Sequence, residues 1–200
     1  MSETTIYTVF DFETTGLNKV VGEDQVIEVA ALRTDLERDY GAIQMFVQLK
    51  DGRTLSDFIK NLTGLTEADL EHGVSEWKAV ELLRDFGYGT TFVAHHYPFD
   101  SSFLENAYPT PDPEDFICTR VLVKLVEPTQ NASLKNVAAR IGYDLQGHHT
   151  AGADVRATKA ILKHYMPLAD AAGIEYRNVV INDKERPLTY IPDFAKVIEN

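Results

Sequence analysis

Two carboxylates stand two residues apart in Asp11-Phe12-Glu13, at the end of the strand-forming run Ile6-Tyr7-Thr8-Val9-Phe10-Asp11. Residues i and i+2 of a strand share one face, so this spacing points both acids the same way. Bare carboxylates that close repel, and one takes up a proton unless a cation neutralises the pair. Mg²⁺ and Mn²⁺ prefer oxygen ligands, which makes the pair a candidate divalent-metal site. Two solvated acids at a strand end would show the same spacing. Asp100, in His95-His96-Tyr97-Pro98-Phe99-Asp100, and Asp154, in His149-Thr150-Ala151-Gly152-Ala153-Asp154, are further candidates. Each also fits a helix-start acid, which the helix dipole favours.

These groups need a scaffold, and the pattern of the chain supplies one. Residues 26–33 and 42–49 read as two more strands, joined by a charged turn at 35–41, and such short connections imply an antiparallel meander. Residues 66–70 read as a short capped helix. Residues 75–86 read as an amphipathic one, with Trp77, Val80, Leu82, Leu83 and Phe86 on its apolar stripe and Gly87 at its end. Residues 90–94 predict a buried strand, 98–107 a helix opened by Pro98, 108–115 a proline-punctuated loop and 116–119 a further strand. Three helices are expected at 120–126, 133–141 (with Gly142 as its C-cap) and 151–165. Beyond Ala169 the pattern changes, and 179–181 with 188–191 predict a hairpin around 182–187. Three strands followed by strand–helix alternation give an α/β domain with a mixed sheet.

Two hundred residues suit one domain, and 44% hydrophobic with 25% charged residues is ordinary for a folded soluble protein. No apolar run reaches the roughly 18 residues needed to span a bilayer, and Met1-Ser2-Glu3-Thr4-Thr5 lacks the features of a signal peptide. The single Cys118 excludes an intramolecular disulfide framework and a multi-cysteine zinc site, so a cytoplasmic location is expected. Lys and Arg number 19 against 31 Asp and Glu, a net charge of −12. That balance counts against a broad basic surface for nucleic acid. It leaves open a protein that grips a short strand end in a metal-lined pocket.

Taken in order, Asp11-Phe12-Glu13-Thr14-Thr15-Gly16-Leu17, Phe99-Asp100 and His149-x4-Asp154 resemble the motifs of the DEDDh branch of the DnaQ-like 3′–5′ exonucleases. This superfamily contains the proofreading subunits of bacterial replicative polymerases. Asn61-Leu62-Thr63-Gly64-Leu65-Thr66 and Ser133-Leu134-Lys135-Asn136-Val137-Ala138 also look like family segments, and the similarity covers about residues 6–166. The resemblance implies a ribonuclease-H-like mixed β-sheet flanked by helices, in an exonuclease domain at 1–168. Residues 169–200 lie outside the resemblance and are read as a C-terminal extension, a hairpin or arm, packed on the same domain, with a substrate arm or a partner-docking surface as the alternatives. The resemblance also implies that Asp11, Glu13, Asp100 and Asp154 hold two Mg²⁺ or Mn²⁺ ions per active site. Two ions ~3.5–4 Å apart can stabilise both the attacking and the leaving oxygen of a phosphoryl displacement.

His149 is the candidate general base by the same resemblance, since a reference pKa of about 6.5 suits proton transfer near neutral pH. His148 competes, but adjacent residues before a helix are not expected to face the metals together. His95 matches a family histidine, His96 stands where the family usually has asparagine, and both are read as structural. Thr14 and Thr15 would contact the terminal nucleotide's 3′-hydroxyl and phosphate, while Leu62, Thr63 and Phe99 would pack its sugar and base; Leu62 and Phe99 equally suit a core. Leu17 is a further candidate wedge. The cationic pairs Arg120/Lys124 and Arg156/Lys159 read as solvated helix faces. The expected activity is release of nucleoside 5′-monophosphates from single-stranded or frayed DNA 3′ ends, as a proofreading or repair nuclease. A polymerase or replisome partner is expected and a membrane is not; oligomeric state is left open. The alternatives are an exoribonuclease of the same family and a catalytically weak subunit that binds nucleic-acid ends.

Overall fold

The first strand, β1 (Tyr7–Thr14), is buried along nearly its whole length because both of its faces are covered. Tyr7 and Val9 enter one core cluster with Ile161 and Leu162, whereas Phe10 and Phe12 enter a second with Val80 and Leu83. A strand covered on both sides reads as a continuous apolar run, and here that run is broken only where the acids begin. Asp11 and Glu13 therefore continue the Tyr7–Val9 face. The computed structural model describes residues 4–17, 23–108, 113, 115–184 and 187–199. The N-terminal residues 1–3, most of the expected loop at 108–115 and two residues of the expected turn at 182–187 lie outside the described residues.

Among the described residues, β1 is the centre of a five-stranded mixed sheet of order β3-β2-β1-β4-β5. β2 (Val26–Thr34) runs antiparallel to it, placing Ala30 opposite Asp11 and Glu28 opposite Glu13, with a register shift just beyond Glu13. β3 (Asp39–Phe46) completes the meander at the edge and alternates between exposed and half-buried residues, as a one-sided strand should. It lies three residues earlier than its sequence pattern suggests, since pairing with β2 ends at Glu28–Phe46. β4 (Thr91–Ala94) and β5 (Phe116–Cys118) extend the sheet in parallel.

Helices cover the two faces. α1 (Asp57–Thr63), which the sequence reading lacks, is capped by Ser56 and closed by Gly64 at φ 76°. The expected helix at 66–70 is α2 (Glu67–Leu70), with a Thr66–Asp69 capping box. α3 (Glu76–Phe86) buries Ala79, Val80 and Leu83, but Trp77 is not on that stripe; it is half exposed and packs on Tyr108. α3 stops at Gly87, where a Cβ would meet the Phe92 ring at 2.2 Å. α4 (Tyr97–Ala107), α5 (Thr119–Val126) and α6 (Leu134–Arg140) follow. α7 (Ala151–Ala171) outlasts its expected end at Tyr165 and runs through Pro167. Buried Tyr165 and Ala169, one turn apart, hold the last turns to the core against the hydrogen bond that proline removes.

The expected C-terminal hairpin is not formed. β6 (Val179–Asn182) pairs with β7 (Lys196–Glu199), not with residues 188–191, and the pair is parallel. Parallel neighbours need a long connection, and the segment after Asn182 provides it, with the Leu188 amide donating to the Asn182 side chain at 3.1 Å. β6 is tied to the sheet edge through Asn178, whose amide donates to the Phe116 carbonyl and whose side-chain oxygen accepts from the Phe116 amide. Val179, Val180 and Ile181 join the same core cluster as Phe116 and Val121. Among the described residues no helix is long and apolar enough to cross a membrane.

Candidate active site

Three strand or helix ends converge on one cleft of about 440 Å³. β1 delivers Asp11 and Glu13 on the face turned toward α7, and the first turn of α7 delivers Asp154. α4 delivers Asp100, whose Oδ1 accepts from the Phe12 amide at 3.3 Å. Asp11, Glu13, Asp100, Asp154, His149 and Phe99 all line the cleft, so the five residues expected to carry the chemistry are brought together. Carboxylate oxygens of Asp11, Glu13 and Asp154 lie within 4.8 Å of one another.

Crowding buried carboxylates in this way has an electrostatic cost that the acids record. Burial lifts the Asp11 carboxyl well above its usual range, and the charges of Asp100, Asp154, Glu13 and Glu28 lift it further. Glu13 is pushed up to about 8 by burial and then by Asp154, Glu28 and Asp100. Divalent cations would reverse that repulsion, and an all-oxygen donor set suits Mg²⁺ or Mn²⁺. The residues present thus fit the metals that the sequence implies.

Both histidines face the cleft, contrary to the expectation that only one could. His149 adopts a left-handed φ of 71°, uncommon outside glycine. This backbone turn brings the two rings to one side, stacked with centroids 3.7 Å apart. His148 Nδ1 lies 2.9 and 3.1 Å from the two Asp154 oxygens. Burial and the neighbouring His148 lower the His149 pKa, with Lys135 adding to the effect and Asp154 opposing it. His95 is held from both sides, Nδ1 by the Thr119 hydroxyl and Nε2 by the Ala132 carbonyl, each at 2.9 Å. A carbonyl can only accept, so Nε2 carries the proton and His95 acts as a strut between β4, α5 and the loop before α6. His96 caps α4 and stacks in parallel over Phe99, with ring centroids 6.5 Å apart.

The other expected substrate contacts lie at the end of β1 and on α1. The Thr14 hydroxyl donates to the Gly16 carbonyl at 2.6 Å, and the Thr15 hydroxyl donates to Asp24 and accepts from the Gln25 amide. Leu62 is half-buried on α1, and the buried Thr63 hydroxyl bonds back to Ile59 of the same helix. None of these four side chains lines the cleft, whereas half-buried Phe99 does. Leu17 stands 81% exposed. Of the four cations read as solvated, Arg120 also lines the cleft and Lys159 pairs with Asp39.

One participant escaped the sequence reading. Glu28 is 2% exposed, sits opposite Glu13 on β2, and accepts from the Gln44 side chain at 2.6 Å and the Ala151 amide at 3.1 Å. It thereby caps the N-terminus of α7, the helix that carries Asp154. Its signal was a lone acid inside the apolar run Val26-Ile27-Glu28-Val29-Ala30-Ala31.

A family model described as an exonuclease, of RNase T type, matches residues 8–162. The chain is 37% identical over 163 residues to a DNA polymerase III of PolC type from Lacticaseibacillus paracasei, which covers 78% of this chain and 11% of the polymerase. It is 31% identical over 181 residues to the same kind of polymerase from Pediococcus pentosaceus, covering 86% of this chain and 12% of that one. The chain thus spans about a tenth of the length of these relatives. Among solved structures it is similar to the nuclease domain of 3′hExo, a DEDDh family member bound to rAMP, with a TM-score of 0.71 at 18% identity, covering 88% of this chain and 97% of that one. It is also similar to E. coli Exonuclease I in complex with a dT13 oligonucleotide, with a TM-score of 0.68 at 17% identity, covering 84% and 43%. The ribonuclease-H-like fold expected from the sequence is therefore the observed one.

Proposed function

The chain belongs to the exonuclease family of RNase T type, and on that premise we propose that it is a DEDDh-branch enzyme that hydrolyses phosphodiester bonds from the 3′ end of single-stranded or frayed DNA, releasing nucleoside 5′-monophosphates. The observation that carries the proposal is the convergence of Asp11, Glu13, Asp100, Asp154 and His149 on one cleft. The four acids would hold two Mg²⁺ or Mn²⁺ ions. When bound, these supply the positive charge that neutralises the acids, draws in the scissile phosphate and polarises the attacking water.

His149 takes the proton from that water. Its lowered pKa keeps the ring neutral near pH 7, the form able to accept. His148, bonded to Asp154, holds the carboxylate's orientation and offers the stacking surface that fixes the His149 ring. Phe99 packs the terminal base, a contact that tolerates any sequence because every base has a π-face. Thr14 and Thr15 fix the chain just past Glu13 through their own hydrogen bonds, and together with Leu62 and Thr63 on α1 they would meet the terminal nucleotide. The extension at 169–200 belongs to the same domain through the buried β6.

Similarity to PolC-type polymerases supports DNA as substrate and a proofreading role beside a polymerase. The rAMP bound to 3′hExo is the observation that favours RNA as the second reading. A 5′-labelled single-stranded DNA, incubated with Mg²⁺, Mn²⁺ or EDTA beside a matched RNA, tests both. The expected result is a metal-dependent ladder shortening from the 3′ end, faster on DNA and absent in Asp11→Ala. Folded protein that cuts neither polymer would overturn the proposal in favour of an end-binding subunit.

A further inference from the structure

A second groove, of about 690 Å³, adjoins the catalytic cleft and shares Arg120 and Ser133 with it. One wall is α5 with the loop that leads into α6; Asp183 and Lys184, just after β6, also line it. Arg120 and Lys124 lie one turn apart on α5 and so share a face. Asp183, 5% exposed, draws both toward itself, at 3.5 Å from the Arg120 guanidinium and 2.5 Å from the Lys124 ammonium. A guanidinium carries five N–H donors and an ammonium three, so one carboxylate cannot saturate the two. Exposed Lys184 adds a third cation. The groove thus carries an excess of positive charge in a chain with 31 acidic against 19 basic residues. That excess begins at the edge of the cleft where a scissile phosphate would lie.

We propose that this groove is the track for the backbone phosphates of a single strand upstream of the scissile bond, and that the segment after β6 completes the substrate site by holding Arg120 and Lys124 in place. The inference rests on the exonuclease reading for its direction, because the strand must enter the cleft 3′ end first. Phosphate contacts position a strand without reading its sequence, which agrees with a groove lined by Gln130, Asn131 and cations rather than by base-selective pockets. Asp183 has a positioning role here, fixing the two cationic heads in one geometry.

The test compares the unaltered chain with K124Q/K184Q and with the milder K184Q, whose exposed side chain leaves the core untouched. Binding of a fluorescent DNA decamer is followed by anisotropy across a salt series, and kcat/KM is measured on the decamer and on a dinucleotide. The double variant is expected to bind the decamer about 10-fold more weakly, with a salt slope shallower by about 1.4 for two lost single-strand phosphate contacts. K184Q should give about half that change in slope, and the loss in kcat/KM should be several times larger on the decamer than on the dinucleotide. Equal losses on the two lengths, or an unchanged decamer affinity and salt slope in variants of normal thermal stability, would overturn the groove. If the unaltered chain cuts nothing but its decamer binding responds as expected, the groove stands and the exonuclease reading falls. If it cuts from the 3′ end and the variants match it in full, the reverse holds.

Discussion

A glutamate whose pKa is pushed up to about 8 by burial and three neighbouring carboxylates is an arrangement that a bound cation would stabilise. Asp11→Ala or Asp154→Ala removes a ligand and a like charge together. Turnover is expected to vanish while the metal-free thermal midpoint stays level or rises, because relieved repulsion offsets the lost contacts; calorimetry beside the cleavage assay checks both. His149→Ala should lower kcat by about 10²–10⁴-fold, the span of a lost general base, with metal affinity by titration calorimetry retained. A larger loss of rate in His148→Ala would transfer the role of base to that residue. The Asp-x-Glu pair was legible at this scale because period two is a local property of a strand. The joint inward turn of His148 and His149 was not, since it depends on one left-handed backbone angle that the residue type does not announce.

Elements fix how far these side chains can stray. Glu28 binds β2 to the first amide of α7, so the strand bearing Glu13's neighbour and the helix bearing Asp154 move as one. Glu28→Gln replaces a charged acceptor at the helix N-terminus with a neutral amide. Glu28 acts on Asp154 only through the start of α7, so a loss of about 10-fold in metal affinity or activity is expected with the fold intact, the low end for groups that orient ligands; Mg²⁺ titrations of the cleavage rate check it. Gly87→Ala should cost about 1–3 kcal/mol in urea unfolding, since a methyl there collides with the Phe92 ring. Long or strongly patterned elements were readable, as with the buried run of β1 and the capped α2. α1 was missed because its seven residues carry too few turns to show a period. The C-terminal hairpin failed because 188–191 and 196–199 are both plausible strands by composition, and only packing beside β6 selects one.

For the whole molecule, the shifted acids set a pH dependence whose sign can be worked out. Glu13 moves from an ordinary 4.5 to about 8, and Asp11 moves the same way. Between those values the folded chain binds more protons than the unfolded one, so metal-free stability falls as pH rises through the window. His149, shifted downward, opposes this trend only below its ordinary 6.5. Thermal unfolding in EDTA should therefore show a midpoint lower at pH 8 than at pH 7, and Mg²⁺ should raise it more at pH 8. A flat profile in EDTA would contradict the crowding of the acids. The sequence by itself determined the fold class and the ordered set Asp11, Glu13, Asp100, His149 and Asp154, because residue type and short-range period fix which groups a strand or helix presents. Only the tertiary structure decided that Glu28 ties β2 to the helix bearing Asp154, that the Thr14 and Thr15 hydroxyls bond to Gly16 and Asp24, and that Arg120 and Lys124 meet Asp183. The ties of Glu28 and Asp183 join residues distant along the chain, and their geometry exists only once the sheet's register and the packing of α5 and α7 have closed.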